Sequence, residues 1–259
     1  AHPNWQAAGA HQAELLDPDR HTNTVEIGYP LENISTDVPH LLNYVAGDAF
    51  GSQYVERMKL LDIEFPESFV RALPGPQHGI DGVKERSGLA EDRPLLGVIL
   101  KPSLGMGPDR VQELVRCAID AGVDVIKEDE KLIDPDYCGF EERLDAVVET
   151  LRWMNAETDN EILYVLNVTG RSDAFLEYVE RNEIDDVLDR FVLMTTVVSQ
   201  GFGQLRALAE HDRIDCPVYA HRSGHAAYTR TDHGISMQVF DKLSRLSVAD
   251  FAHCGAYKC

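Results

Sequence analysis

The chain has 259 residues, with 44 acidic and 24 basic side chains, and its formal net charge at pH 7 is -20. A surface with this excess of negative charge repels nucleic acids and anionic membranes. No apolar stretch approaches the roughly 20 residues that cross a bilayer, and we expect no signal peptide. These features predict a cytoplasmic globular protein with neither nucleic acid nor membrane as a partner.

The basic residues are unevenly divided, since seven of the 24 are lysine and the others are arginine. Many acidic residues combined with few lysines indicate adaptation to high salt, where counterions screen the repulsion between like charges. The alternative is an ordinary acidic cytosolic protein.

Residues 1–92 predict part of a small α+β domain that follows a polar arm. The predicted elements are a polar arm (1–23), a strand (24–31), a helix (38–51), a strand (58–66), a short helix or strand (68–76) and a linker rich in glycine and charge (77–94). The helix is predicted from the spacing of its apolar residues and from the glycine at its end. The first strand is predicted from the alternation of apolar and polar residues.

Residues 93–259 predict a second domain with a regular pattern, in which apolar runs alternate with amphipathic helical segments. The runs are LLGVIL (95–100), VDVIKE (123–128), ILYVLNV (162–168), FVLMTTVV (191–198), PVYAHR (217–222) and DFAHCG (250–255). The predicted helices cover 108–121, 139–155, a segment from Ser172, 203–211 and 234–246. This alternation is typical of a parallel sheet covered by helices.

Polar side chains lie at the ends of the apolar runs. Their positions help to decide whether the parallel sheet closes into a barrel or stays open. These side chains are Lys101, Lys127, Asn167, His221 and His253. In a barrel all of them meet at the C-terminal face, where barrel active sites lie. An open dinucleotide-binding sheet is less favoured because GxGxxG is absent. We therefore predict an α/β fold, a (β/α)8 TIM-type barrel with about six of its eight units present.

The stretch VIKEDEKL (125–132) places Lys127 at the end of a buried run and next to three carboxylates. In one reading Lys127 forms a Schiff base with a carbonyl substrate. In the other, CO2 adds to the neutral amine, and the resulting carbamate joins Asp129 and Glu130 in holding Mg2+. The second reading explains more of the motif. Strand alternation directs Glu128 away from this site, so it is not counted as a ligand.

A second cluster follows the fifth apolar run, in HRSGHAAYTR (221–230). Arg222 together with His221 and His225 suits a phosphate or another anion. His253 belongs either to the same anion site or to the core. Lys101 is placed at another strand end, where it could transfer a proton at a carbon next to a carbonyl.

Several motifs, taken in order, resemble the Rubisco large-subunit superfamily. They are GYPLENI, LLNYVAGDAFG, GPQHGIDGVKE, RPLLGVILKPSLGM, GVDVIKEDE, AHRSGHAAYTR with HGIS, and LSVADFAHCG, covering roughly residues 24–255. The resemblance implies an α/β N-terminal domain, a (β/α)8 barrel and at least a homodimer. It also implies a phosphorylated sugar as substrate.

The resemblance further implies a role for each matching residue. Lys127 would be the carbamylated lysine, Asp129 and Glu130 the Mg2+ ligands, and Lys101 the proton-transfer lysine. His221 would contact substrate hydroxyls. Arg222 and His253 would bind a substrate phosphate, and His225 matches a further histidine of the motif.

Some positions depart from the family pattern. Ser103 replaces a second active-site lysine, Asp48 replaces a substrate-binding asparagine, and the fourth run ends in LMTT without the usual histidine and aspartate. Only six strand-helix steps are present, so we expect a truncated or degenerate member. The implied activity is Mg2+-dependent enolisation and carboxylation of ribulose 1,5-bisphosphate. The alternatives are a Rubisco-like enolase, isomerase or decarboxylase, and a non-catalytic member.

Overall fold

The computed structural model describes residues 9–19, 23–89, 93–182 and 184–254. Much of the predicted N-terminal arm, with His2 and His21, lies outside these ranges, as does the end of the sixth run at Gly255. Within them, no helix combines the length and the apolar character needed to cross a membrane.

In its described residues, the N-terminal part has a β-hairpin, a two-residue strand and three α-helices. Its elements are β1 (Glu14–Asp19), β2 (Thr24–Gly28), α1 (Val38–Ala46), β3 (Lys59–Leu60), α2 (Glu67–Ala72) and α3 (Gly79–Arg86). Strands β1 and β2 pair antiparallel. The predicted strand at 58–66 shortens to two residues, and the ambiguous segment at 68–76 begins as a helix.

The C-terminal part confirms the predicted alternation, because a strand lies within each of the six apolar runs. Its elements are β4 (Gly97–Ile99), α4 (Pro108–Asp120), β5 (Val125–Lys127), α5 (Phe140–Glu157), β6 (Leu163–Asn167), α6 (Ser172–Asn182), β7 (Phe191–Thr196), α7 (Val197–Gln200), α8 (Phe202–Ala209), β8 (Val218–His221), β9 (Gly234–Ile235), α9 (Met237–Leu246) and β10 (Phe251–Ala252). Strands β4, β5, β6, β7, β8 and β10 pair in parallel, in chain order. The sheet curls into an open, six-stranded part of a barrel.

The two faces of this sheet have separate cores, as strand alternation requires. The barrel interior is filled by Val125, Leu163, Val165, Val192 and Met194. Residues of opposite parity, such as Ile126, Tyr164 and Leu193, pack against the helices. The interior face ends in polar side chains at the carboxyl ends of the strands, and this is where the candidate site lies.

The prediction of a linker at 77–94 is wrong, because residues Gly79–Arg86 of this segment form helix α3. Val83 of this helix is buried against the interior residues of the barrel. The carboxylate of Asp250 accepts hydrogen bonds from the backbone amides of His78, Gly79 and Val218, at 2.9, 2.8 and 2.9 Å. A single buried valine in a charged segment produces no helical periodicity, so only the tertiary contacts reveal this helix.

Replacing Asp250 with alanine is expected to lower the free energy of unfolding by about 1–3 kcal/mol. The change leaves three backbone amides without their acceptor at the junction of α3 and β8. Urea unfolding measures the loss, with Asp212→Ala as the control because Asp212 is exposed. Equal stability of the two variants would show that the Asp250 contacts contribute nothing.

The predicted helix at 234–246 begins later than expected, at Met237. Gly234 and Ile235 instead form β9, which pairs in parallel with β3 of the N-terminal part. Ser236 caps the helix, because its side chain accepts the Val239 amide at 3.0 Å. The same hydroxyl donates to the Leu61 carbonyl at 2.7 Å and so links the two parts of the chain.

Candidate active site

The ligand-bearing segment starts where β5 ends. Lys127 and Asp129 are buried, and the chain turns at Glu130. Glu128 points in the opposite direction, into the helix layer, where the Arg143 guanidinium donates to its carboxylate at 2.8 Å. This arrangement agrees with the alternation expected along a strand.

Lys127 lies inside the barrel with its amine directed across the ring of Tyr219, 5.9 Å from the ring centroid. The amine donates a hydrogen bond to the backbone carbonyl of Glu128 at 2.8 Å. Burial lowers the pKa of Lys127, although the carboxylates of Glu130, Asp129 and Glu128 oppose the change. Desolvation therefore favours the neutral amine, which is the form that reacts with CO2.

Asp129 is the most firmly held of the predicted ligands. Its carboxylate accepts hydrogen bonds from the Lys101 amine, from the Ser103 hydroxyl at 2.8 Å and from the Lys131 amide at 3.0 Å. Burial by itself would raise the pKa of Asp129. The bonds from Lys101, Lys131 and Ser103 outweigh burial and lower this pKa to about 2, so the carboxylate is ionised at neutral pH.

Glu130 faces a histidine across the strand ends, with its Oε2 atom 4.0 Å from Nε2 of His221. Burial, followed by the charges of Lys127 and His253, lowers the pKa of His221 to about 3. The imidazole is therefore neutral. Because Nδ1 accepts the Ser223 amide at 3.2 Å, the remaining proton resides on Nε2 and is available to a substrate oxygen.

The other predicted anion-binding residues lie around the same strand ends. The rings of His221 and His253 are 5.0 Å apart, and Nδ1 of His253 is 3.2 Å from the Tyr219 hydroxyl. The guanidinium of Arg222 donates to the Cys254 carbonyl at 3.2 Å. Nδ1 of His225 forms a hydrogen bond with the Thr229 hydroxyl, at a distance of 2.8 Å.

Three contacts of the site were not predicted from the sequence, although Ser103 was noted there as a departure from the family pattern. Tyr219 covers Lys127, Ser103 binds Asp129, and Arg143 neutralises Glu128. Tyr219 could have been found, because it lies two residues before His221 and so shares its side of the strand. The role of Ser103 depends on its distance from another strand end, which no local pattern encodes.

The donor set at this strand end contains two carboxylates that could hold a magnesium ion. Among the described residues, no group of three histidine, cysteine, aspartate or glutamate side chains is arranged to hold a metal ion. Asp129 and Glu130 provide two carboxylates, and a carbamate on Lys127 would add the third anionic group. Oxygen ligands of this kind match Mg2+.

The fold and the site together define a class of protein, a β/α barrel with acid-base and anionic side chains at the carboxyl ends of its strands. Two family models match the chain. The N-terminal domain of the ribulose bisphosphate carboxylase large chain matches residues 2–69, and the catalytic domain matches residues 81–259. The chain therefore belongs to the Rubisco large-chain family.

Curated relatives include both carboxylases and another enzyme. The chain is 36% identical over 247 residues to the ribulose bisphosphate carboxylase of Archaeoglobus fulgidus, an alignment that covers 93% of the chain and 55% of the relative. It is 31% identical over 250 residues to the 3-oxo-isoapionate-4-phosphate decarboxylase of Rhizobium etli, with 96% and 57% covered. The chain thus spans little more than half the length of these relatives.

Solved structures give the same assignment. The dimeric archaeal Rubisco from Hyperthermus butylicus has a TM-score of 0.84 and 29% identity, covering 97% of this chain and 59% of its own. A Rubisco-like protein from Burkholderia fungorum has a TM-score of 0.81 and 26% identity, with 93% and 65% covered. The family likeness therefore extends to carboxylases and Rubisco-like proteins alike.

Proposed function

We propose that this chain carries the metal-binding part of an enzyme for Mg2+-dependent enolisation and carboxylation of ribulose 1,5-bisphosphate, a carboxy-lyase of the Rubisco type. The observation that carries the proposal is the buried Lys127, whose pKa is lowered by burial, next to the ionised Asp129. The archaeal carboxylases among the relatives support the same activity.

The chain's own residues would divide the work. Lys127, as its carbamate, together with Asp129 and Glu130, would hold the ion. When bound there, the ion would supply Lewis-acid polarisation of a substrate carbonyl, which would make the neighbouring carbon more acidic. Lys101 would transfer the proton of the carbon next to the carbonyl. The Nε2 proton of His221 would bond to a substrate hydroxyl.

A substrate phosphate would bind to the cationic side of the same end of the barrel. The guanidinium of Arg222 and the imidazole of His253 are the proposed donors, and His225 lies in the same loop. A guanidinium provides several fixed N–H donors, which suits a phosphate group.

A Rubisco-like activity on another sugar phosphate, either isomerisation, enolisation or decarboxylation, is the second candidate. Ser103 favours it, because this residue stands where the carboxylases have a lysine, and Asp48 replaces their asparagine. The decarboxylase among the relatives also favours it. Both candidates begin with removal of a proton next to a carbonyl.

Proton exchange tests this shared step. We expect the protein, with Mg2+ and bicarbonate in D2O, to exchange the C3 proton of ribulose 1,5-bisphosphate, and 1H NMR measures the loss of that signal. Exchange without fixation of 14C-labelled CO2 would favour a Rubisco-like reaction. Absence of exchange with a panel of ketose phosphates, despite bound Mg2+, would support the non-catalytic reading.

We further propose a homodimer or higher homo-oligomer located in the cytoplasm, with a domain boundary near residue 92. Structural neighbours are described as dimeric and octameric archaeal Rubiscos, which supports the oligomer. The β1–β2 hairpin exposes Leu15, Leu16, Val25 and Ile27, and such apolar side chains are typical of a surface that another protein covers.

Adaptation to high salt is proposed from the charge of -20. Raising KCl to about 1 M shortens the Debye length to about 3 Å and so screens repulsion between the acidic side chains. The thermal midpoint of unfolding is therefore expected to rise with KCl, as followed by circular dichroism. A midpoint that falls or stays level as KCl is added would contradict adaptation to high salt and favour the alternative of an ordinary acidic protein.

A further inference from the structure

The carboxamide of Asn167 holds the segment that follows the proposed ligands. Asn167 is the last residue of β6 and is fully buried. Its Nδ2 atom lies 3.2 Å from the Asp129 carbonyl, 3.1 Å from that of Glu130 and 3.3 Å from that of Leu132. An amide nitrogen has two hydrogens, so the three carbonyls share them.

The orientation of this carboxamide is set by its other end. The Oδ1 atom of Asn167 accepts the Thr169 hydroxyl at 2.7 Å and the Thr169 amide at 3.2 Å. A rotated carboxamide would turn its NH2 group toward the Thr169 amide and its oxygen toward the three carbonyls. The donor side of Asn167 is therefore directed at the loop of residues 129–132.

The backbone of Asn167 holds the other side of the ligand segment. Its amide donates to Oε2 of Glu128 at 2.8 Å, while Arg143 and Tyr164 each donate to Oε1 at 2.8 Å. Glu128 lies between Lys127 and Asp129 in the chain. One residue of β6 thus contacts the segment both before and after Asp129.

We propose that Asn167 is a positioning residue for metal binding, which fixes the backbone of residues 129–132 so that Asp129 and Glu130 face the modified Lys127. The inference rests on the proposed function, since it concerns the same metal site. The loop at Glu130 and Lys131 is a turn and belongs to no strand. The Asp129 and Lys131 carbonyls accept the backbone amides of Leu132 and Ile133, both at 3.1 Å. Among the described residues no backbone amide donates to the carbonyls of Glu130 and Leu132, so these two depend on Asn167 for a donor.

Two variants separate the donor from the space that the side chain fills. Asn167→Ala removes the whole carboxamide, whereas Asn167→Asp keeps its shape but replaces the donor with a carboxylate. In both, we expect the dissociation constant for bicarbonate-dependent Mg2+ binding to rise roughly 10- to 100-fold, the usual effect of losing a partner that orients a metal ligand. Titration calorimetry of the full chain measures it.

Hydrogen exchange gives a second readout that needs no metal. In Asn167→Ala without Mg2+, amides of residues 129–133 are expected to exchange faster, since local opening of this loop costs less free energy. Leu151→Ala is the control for general loss of stability, because Leu151 is buried in the helix-side core. The Leu151→Ala variant should bind Mg2+ with the same affinity as the unmodified protein, provided that binding is measured well below the unfolding temperature of the variant.

The outcomes are distinct. Wild-type affinity in both Asn167 variants, or unchanged exchange in residues 129–133, would overturn the positioning role alone. Failure of the unmodified chain to bind Mg2+ with bicarbonate would overturn the proposed function and this inference with it. Should Asn167→Ala fail to fold, Asn167→Asp alone carries the test, because it keeps the shape of the side chain, and it is expected to weaken binding in the same direction. Unchanged affinity there would also overturn the inference.

Discussion

Lys127→Ala is expected to abolish the bicarbonate-dependent binding of Mg2+. Asp129 and Glu130 would remain, but two carboxylates without the carbamate leave the ion with one protein ligand fewer and much lower affinity. Isothermal titration calorimetry with and without bicarbonate measures the difference. In the unmodified protein, bicarbonate should strengthen binding, whereas in the variant it should have no effect.

Lys131→Ala is the matched control for this experiment. Lys131 lies in the same segment, and its amine is 3.8 Å from Asp129 and 3.9 Å from Glu130, but its side chain is 58% exposed, whereas Lys127 is buried. The dependence on bicarbonate should survive in this variant. Equal behaviour of the two lysine variants would contradict the assignment of the carbamate to Lys127.

Arg143→Met is expected to lower the free energy of unfolding by about 3–5 kcal/mol, because it leaves the charge of Glu128 buried and without its counter-ion. The ion pair is completely inaccessible to solvent, with an Nε–Oε1 distance of 2.8 Å. Urea unfolding monitored by circular dichroism gives the loss. The double variant Arg143→Met with Glu128→Gln should lose less, because no unpaired charge remains.

Arg152→Met provides the comparison on the same helix. Arg152 bonds Asp186 at 2.8 Å, but both side chains are about half exposed, and such surface pairs contribute about 1 kcal/mol or less. Similar losses in the Arg143 and Arg152 variants would contradict the view that burial sets the cost at Glu128.

The sequence allowed the barrel units to be predicted because they depend on local patterns. Each of the six strands is an apolar run, and each long helix has an amphipathic repeat, so both signals are contained in short windows. Helix α3 and strand β9 were missed for the opposite reason. The contacts that define them, from Asp250 to His78 and from β9 to β3, join residues more than 170 positions apart.

The candidate site likewise combines features that local sequence patterns predict with features that depend on long-range contacts. The position of Lys127 and Asp129 on one side of a strand, with Glu128 on the other, follows from the period of two. The contacts of Asp129 with Lys101 and Ser103 require two neighbouring strands to lie in register. The burial of Arg143 could not be predicted from the sequence, since an arginine on a helix is ordinarily exposed.

The most direct test of the central claim is 13C NMR of the protein in high salt with 13C-labelled bicarbonate, recorded with and without Mg2+. A carbamate on Lys127, stabilised by Mg2+ through Asp129 and Glu130, predicts a carbamate resonance that strengthens when Mg2+ is added and is missing in Lys127→Ala. Folded protein with no such resonance under either condition would contradict the carbamate site and the enolisation chemistry proposed from it.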